Sequence, residues 1–280
     1  MKQTANILIL TILCLFSCSK EHYPERGTLY FLGLKGSLTK GIQYLKPDTK
    51  AYLFVKDNCS GLYSYHSSLL YSDSGGNLIS EQSVNVSSGN YNIYSFSENN
   101  TSPPGTLFTG ERSDELKNGT DYLWTVAEAV PVTGPKLITL EFIHIASKVE
   151  LVINAPEQLT NFQVNSVRFS LPDEKGVTMD LINGTITSSG SVQPPSEIGG
   201  DGNTRQFYTL PCHAQKRIEA DISGILNNRT LNNATFSAEI NTPFEPGFHY
   251  IITMELNALL HPEVTITAKE WISTNITINY

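Results

Sequence analysis

The alternation of apolar and polar residues is clearest in Leu137–Ile153, the longest apolar-rich stretch outside the N-terminus. Side chains suited to a protein interior recur at every second position over Ile138–Ala146, and the series continues from Val149 with the opposite parity. A one-residue slip moves the apolar set of a strand to its other face. The pattern therefore predicts a bulge, or a chain that leaves one sheet and enters another, near Ser147. We interpret this stretch as the start of a second β-domain.

Short apolar runs separated by turn residues lie on both sides of this stretch. Clear strand patterns occupy residues 50–56 and 248–256, and Asn183-Gly184 between two apolar runs is the strongest hairpin signal. A cluster of helix and strand breakers immediately precedes Leu137, namely Pro131, Gly134 and Pro135. The sequence thus predicts an all-β protein with two sandwiches of short antiparallel strands, an N-terminal domain over residues 28–135 and a C-terminal domain over residues 136–280.

The first residues have the pattern of an export signal. Lys2 precedes an apolar core at Ile7–Phe16, and Ser17 then leads directly into Cys18 and a polar segment. This order predicts a bacterial lipoprotein signal peptide over residues 1–17, lipidation of Cys18 and a flexible tether over residues 18–27. The acyl chains on Cys18 would hold the mature protein on a membrane. An ordinary secretory signal with an incidental cysteine is the alternative.

Composition and motifs argue against several functional classes. The chain carries 27 acidic and 19 basic residues, a net charge of −8, and no cluster of basic residues, so nucleic acid is not an expected partner. No nucleophile elbow, zinc-protease motif, C-x-x-C pair or phosphate-binding loop occurs, and the six histidines lack metal-ligand spacing. We therefore expect no enzymatic activity, no metal and no cofactor. His144 lies on an apolar face, where a hydrogen-bonded core histidine is the favoured interpretation over a ligand.

Two cysteines and two tryptophans leave alternatives open. Cys59 and Cys212 remain after removal of the signal peptide; a disulfide is conceivable, but unpaired thiols are the favoured interpretation. Trp124 and Trp271 could stack on sugar rings or pack in a β-sandwich. The sugar-binding interpretation gives a second functional hypothesis, a monomeric surface lipoprotein that binds glycans.

Several segments together resemble the fimbrillin-like proteins of Bacteroidetes, the major, minor and accessory subunits of type V pili. The most specific are F-x-H-x-x-S-K and P-G-x-x-Y-x-I near the C-terminus. The full set comprises G-N-Y-N-I-Y-S-F (Gly89–Phe96), D-Y-L-W (Asp121–Trp124), the segment Leu140–Leu151, the segment Phe244–Leu256 and E-W-I (Glu270–Ile272).

This resemblance implies two transthyretin-like β-sandwich domains in tandem and a structural role. In the family, a lipidated precursor reaches the outer membrane, a trypsin-like protease removes an N-terminal strand, and the groove accepts a strand from the next subunit. The alternation of Ile276, Ile278 and Tyr280 is suited to a donor strand, although a plain terminal strand explains it equally well. The implied partners are other fimbrial subunits and a host or bacterial surface receptor.

The sequence departs from the family pattern at the processing site. Arg26 precedes the first predicted strand and the next arginine is Arg112, so neither is suitably placed. Lys40, Lys46 and Lys50 are the candidate processing sites if the protease accepts lysine. Otherwise the subunit would keep its lipid and anchor the polymer. Stalk, tip and anchor roles stay open, and the missing arginine disfavours the stalk.

Overall fold

The computed structural model describes residues 26–35, 43–257 and 259–271, which form strands, turns and loops without a helix. Accordingly, these residues contain no helix that could cross a membrane. The first strands are β1 (Arg26–Lys35), β2 (Gln43–Tyr44), β3 (Lys50–Asp57), β4 (Tyr63–Ser72), β5 (Asn77–Ser80), β6 (Val84–Ser87), β7 (Gly89–Ser97), β8 (Phe108–Thr109), β9 (Arg112–Ser113), β10 (Leu123–Val132) and β11 (Lys136–His144). They continue with β12 (Ser147–Asn154), β13 (Leu159–Phe169), β14 (Met179–Asp180), β15 (Thr185–Ile186), β16 (Ser196–Glu197), β17 (Thr204–Thr209), β18 (Lys216–Leu226), β19 (Arg229–Ile240), β20 (Phe248–Leu256) and β21 (Pro262–Glu270). The all-β prediction is confirmed.

The N-terminal half is a sheet that closes on itself. Its strands follow the order β11, β10, β7, β3, β4, β5 and β1, and β1 then pairs in parallel with β11 to complete the ring. Every other pairing in the ring is antiparallel. Alternate residues such as Leu53, Ile93 and Leu140 point inward and form one fully buried cluster. The two open layers expected here are thus joined into a barrel, because β1 covers the edge of β11.

The C-terminal half has two four-stranded sheets, as a sandwich requires. One has the order β17, β12, β20, β21 and the other β16, β13, β18, β19. Val149 and Ile252 from the first sheet share a buried cluster with Phe169 and Ile218 from the second. Burial of these facing side chains holds the layers together. The sandwich predicted for this half is therefore observed.

The parity slip marks a change of sheet, as predicted, and this change lies C-terminal to the predicted domain boundary at residues 135/136. β11 pairs with β10 and β1 in the barrel, whereas β12 pairs with β17 and β20 in the sandwich. The chain crosses at Ile145-Ala146. Gly134 and Pro135 instead lie between the barrel strands β10 and β11. A breaker cluster marks the end of a strand and does not identify which sheet the next strand joins.

A third, smaller sheet connects the two halves. Its order is β15, β14, β9, β8, so it pairs residues 108–113 with residues 179–186. The hairpin predicted at Asn183-Gly184 is present, with Met179 opposite Ile186 and Gly184 at a φ of 66°. Beneath it, Trp124 shares a buried cluster with residues of both halves.

Candidate functional site

Strand β1 is the element on which the expected strand exchange depends. Along one edge it pairs continuously with β11, from Leu29 opposite Lys136 to Lys35 opposite Phe142. Its inward side chains Leu29 and Phe31 belong to the buried barrel cluster and are 4 % and 3 % exposed, whereas the outward Tyr30 is 56 % exposed. The strand thus inserts the apolar side chains of Leu29 and Phe31 into the barrel core at the position where the ring closes.

Along its other edge, β1 pairs with three short strands in succession. β6 pairs with Arg26 to Leu29, β5 with only Phe31 and Leu32, and β2 with only Leu34 and Lys35. Beside Tyr30, between the β5 and β6 pairings, lies a groove of about 340 Å³, whose rim includes Ile79 and Leu137. β1 therefore has one continuous partner and three short ones. Its removal would leave the pairings among β3, β4, β7 and β10 intact.

Two glycines let β1 approach its neighbours closely. A Cβ on Gly27 would lie 2.5 Å from the carbonyl oxygen of Gly134 and from Cγ1 of Val132. A Cβ on Gly33 would lie 2.9 Å from Cδ1 of Leu45. Such distances are well inside van der Waals contact, so the seat of β1 is shaped for a strand with glycine at these positions.

A buried charged cluster fixes the C-terminal end of β1. Lys35 Nζ lies 3.9 Å from Oδ2 of Asp121, and these side chains are 13 % and 6 % exposed. The same Asp121 carboxylate accepts hydrogen bonds from Asn99 Nδ2 at 2.6 Å and from His144 Nδ1 at 2.6 Å. Burial lowers the pKa of Lys35, and the charge of Asp121 opposes that shift. Asp121 thus connects the end of β1 to His144 at the end of β11 and to Asn99 just beyond β7.

His144 is the hydrogen-bonded core histidine that the sequence predicted. Its Nδ1–H donates to Asp121, because a carboxylate can only accept. Burial lowers the pKa of His144, and the bond to Asp121 opposes this. The roles of Asp121 and Lys35 were missed, although a charged residue ending the apolar strand β1 was a usable signal.

Both tryptophans are engaged in packing. The Trp124 ring is 9 % exposed and its Nε1–H donates to the carbonyl oxygen of Leu181 at 2.8 Å. The Trp271 ring stacks on His144 with a centroid separation of 3.6 Å and on Tyr208 with a separation of 5.3 Å. Of the two interpretations, the structure therefore supports packing over a sugar-stacking platform.

The candidate processing residues occupy different environments. Lys46 is exposed in the turn between β2 and β3, and its carbonyl oxygen accepts a hydrogen bond from the amide of Thr49 at 3.1 Å. Lys50 begins β3, and its carbonyl oxygen accepts from Ser97 Oγ at 2.6 Å. Arg26 is the first residue of β1, so cleavage there would leave the strand in place. Lys40, in the segment between β1 and β2, lies outside the described residues. The same holds for Cys18 and for Ile276, Ile278 and Tyr280.

The remaining chemistry is sparse in the described part of the chain. Cys59 is exposed and Cys212 is buried, and both are free, as the favoured interpretation held. Within the described ranges no three His, Cys, Asp or Glu side chains are grouped so that they could hold a metal ion.

Comparison with protein families identifies the family of this chain. A profile described as fimbrillin-like matches residues 58–271 of the chain. The chain belongs to the fimbrillin-like family. Membership confirms the resemblance found in the sequence. No curated protein matches the chain.

Solved structures share the fold of this fimbrillin-like protein. A proposed cell adhesion protein from Bacteroides uniformis has a TM-score of 0.65 at 14 % identity, with 88 % of this chain and 99 % of that chain covered. One from Bacteroides ovatus has a TM-score of 0.64 at 13 % identity, covering 90 % and 100 %. The C-terminally truncated tip fimbrial protein Mfa3 from Porphyromonas gingivalis has a TM-score of 0.52 at 10 % identity, covering 87 % and 100 %. At such identities the likeness concerns the fold alone.

Proposed function

We propose that this protein is a structural subunit of a type V fimbrium, in an accessory, tip or anchor position, that is assembled on the outer membrane by strand exchange and contributes to adhesion. The observation that carries the proposal is the placement of β1, which closes the barrel with one continuous partner and three short ones. The family and the fold shared with Mfa3 support the same role. The proposed role requires neither catalysis nor a cofactor.

Loss of β1 would create an acceptor groove. The main-chain groups of β11 on one side and of β6, β5 and β2 on the other would lose their partners, and the core sites of Leu29 and Phe31 would be vacated. A strand with alternating apolar side chains can satisfy both requirements at once, through backbone hydrogen bonds and pocket filling. The alternation of Ile276, Ile278 and Tyr280 offers such a strand to the next subunit.

Processing and anchoring distinguish the possible positions in the fibre. Cleavage after Lys40 or Lys46 would separate β1 from β3 and release the lipidated Cys18 with it. Lys50 is a poor candidate because the peptide bond after it lies within the β3 pairings. If no lysine is cleaved, β1 stays in the barrel and the lipid holds the subunit at the cell surface. We favour this anchor or another accessory position over the stalk.

The tandem transthyretin-like organisation also belongs to this proposal. The two packed sheets of residues 147–270 support it for the C-terminal half. In the N-terminal half, removal of β1 would open the ring and leave β11 and β5 as edge strands. The open sheet would be closer to a two-layered sandwich than the closed barrel is.

The mature N-terminus tests the assembly. The protein is isolated from cells together with any fimbriae, and its N-terminus is determined by mass spectrometry. A start at Gly41 or Pro47 supports polymerisation, and an acylated Cys18 in a sample that co-purifies with fimbrial subunits supports the anchor. An acylated Cys18 without association with any fimbrial subunit overturns the proposal.

A pair of substitutions tests the donor strand. Ile276→Asp places a charge on the apolar face of the terminal segment, whereas Thr277→Asp places it on the other face. Loss of incorporation into fimbriae for Ile276→Asp but not for Thr277→Asp is expected. Equal incorporation of both variants would argue against an exchanged C-terminal strand.

A further inference from the structure

The small sheet that joins the two halves carries a row of polar side chains across its outer face. Cross-strand register places Thr109 opposite Arg112, Arg112 opposite Asp180, and Asp180 opposite Thr185, so one row crosses all four strands. The neighbouring strand positions Phe108, Ser113, Met179 and Ile186 are buried beneath it. The inner face of the sheet thus serves the core, and the outer row is not needed for packing.

A depression of about 450 Å³ lies over this row. Its lining consists only of polar residues: Thr109, Glu111, Arg112, Thr178, Asp180, Thr185 and Thr187. The volume falls within the range of about 300–1,000 Å³ usual for small-molecule sites. An apolar ligand would find no apolar side chain to contact, so the lining selects for a ligand rich in hydrogen-bonding groups.

The hydrogen-bonding groups of the lining are available. The Arg112 guanidinium makes no hydrogen bond or ion pair with the described residues, and the same holds for the hydroxyl groups of the four lining threonines. Asp180 uses Oδ1 to accept from the amides of Ile182 at 2.8 Å and Asn183 at 3.1 Å, which fixes its orientation. Two contacts hold the strands in place, since the amide of Leu181 donates to the Glu111 carbonyl and that of Met179 donates to Ser113 Oγ, both at 2.8 Å.

The charges of the lining balance. Glu111 is paired with Lys56 Nζ at 2.5 Å, which leaves the Arg112 cation and the Asp180 anion as neighbours in the row. An adjacent donor and acceptor can bind two neighbouring hydroxyl groups of a sugar ring, and threonine hydroxyls can both donate and accept. A strongly anionic or cationic ligand would find one opposing charge and one like charge.

We propose that this outer row is a binding site for an uncharged saccharide, with Arg112 donating to and Asp180 accepting from vicinal ring hydroxyls. The site shares no residue with the β1 groove, so it does not depend on strand exchange. It also differs from a site built on Trp124 and Trp271, since both of those rings are used in packing.

Binding of the full chain, kept soluble in detergent, to an immobilised panel of neutral and acidic oligosaccharides tests the proposal, with titration calorimetry on the neutral sugar that binds best. Binding to at least one neutral sugar is expected. Arg112→Gln and Asp180→Asn should each weaken it about tenfold or more, the loss expected when a polar contact to a sugar hydroxyl is removed. Asparagine keeps an oxygen for the Ile182 and Asn183 amides, so the turn is preserved.

Arg229→Gln is the matched control, because Arg229 is an exposed strand arginine outside the depression. The affinity of the Arg229→Gln variant for the neutral sugar should equal that of the wild type. The thermal unfolding midpoints of all three variants should agree within about 2 °C. The absence of any neutral ligand, a preference for acidic sugars, or binding that persists in both Arg112→Gln and Asp180→Asn would overturn the proposal.

Discussion

Gly184 lies directly against the indole ring of Trp124, so that a Cβ added to the glycine would come 2.3 Å from Cε3 of the tryptophan. This contact joins the β14–β15 hairpin to the barrel, and the Trp124 Nε1 bond to Leu181 reinforces it. The hairpin can approach the ring only because its fourth loop residue has no side chain.

Gly184→Ala should destabilise the protein through both steric overlap and backbone strain. The left-handed φ of 66° costs about 1 kcal/mol for alanine, and overpacking against Trp124 adds about 1–3 kcal/mol. Gly202→Ala is the control, because Gly202 has a φ of 67° and no atom within 4 Å of an added Cβ. Chemical denaturation should show a clearly larger loss for Gly184→Ala, and equal losses would contradict the contact.

The two faces of β1 should respond differently to truncation. Phe31→Ala removes a buried ring from the barrel core and should lower the free energy of unfolding by about 3–5 kcal/mol. Tyr30→Ala, one position away on the exposed face, should change it by less than about 1 kcal/mol. Urea denaturation of both variants measures the difference. Similar effects at the two positions would mean that β1 does not insert as described.

Stability should fall as the solution is acidified, and His144 should contribute to the fall. Burial lowers its pKa in the folded protein, so below about pH 6.5 the unfolded chain binds a proton that the folded chain does not. For one histidine the slope is at most about 1.4 kcal/mol per pH unit. The pKa of His249 is also lowered by burial, so it acts in the same direction.

His144→Asn should therefore reduce, without abolishing, the loss of unfolding free energy between pH 7.5 and 5.5. The variant will be less stable than the wild type at pH 7.5, because it loses the stack on Trp271. A His144→Asn variant with the full wild-type pH dependence would show that this histidine does not titrate differently on folding.

The two free cysteines of the folded domains should differ in reactivity. Cys59 is exposed and should react with a thiol reagent in the native protein, whereas Cys212 is buried and should react only on unfolding. Mass spectrometry after brief labelling, with Cys59→Ser as the control, distinguishes them. Rapid labelling of Cys212 in the native state would contradict its burial.

Sequence periodicity predicted the change of sheet near Ser147 because alternation reports directly which face of a strand is buried. It did not predict that β11 belongs to the barrel, since periodicity carries no information on pairing partners and β1 is distant in sequence. The row from Thr109 to Thr185 was also beyond prediction. Its strands have two residues each, too few to show a period, and only the folded chain places them in register.

The parallel pairing of β1 with β11 also has a consequence for folding. Leu29 is synthesised long before its partner Lys136, so β1 must remain without its continuous neighbour while the rest of the barrel is made. Contacts between such distant segments carry a high loop-closure entropy and form late. β1 thus gains its continuous partner only after most of the barrel strands have been made, and a chaperone that shields Leu29 and Phe31 until then would prevent premature association of nascent chains.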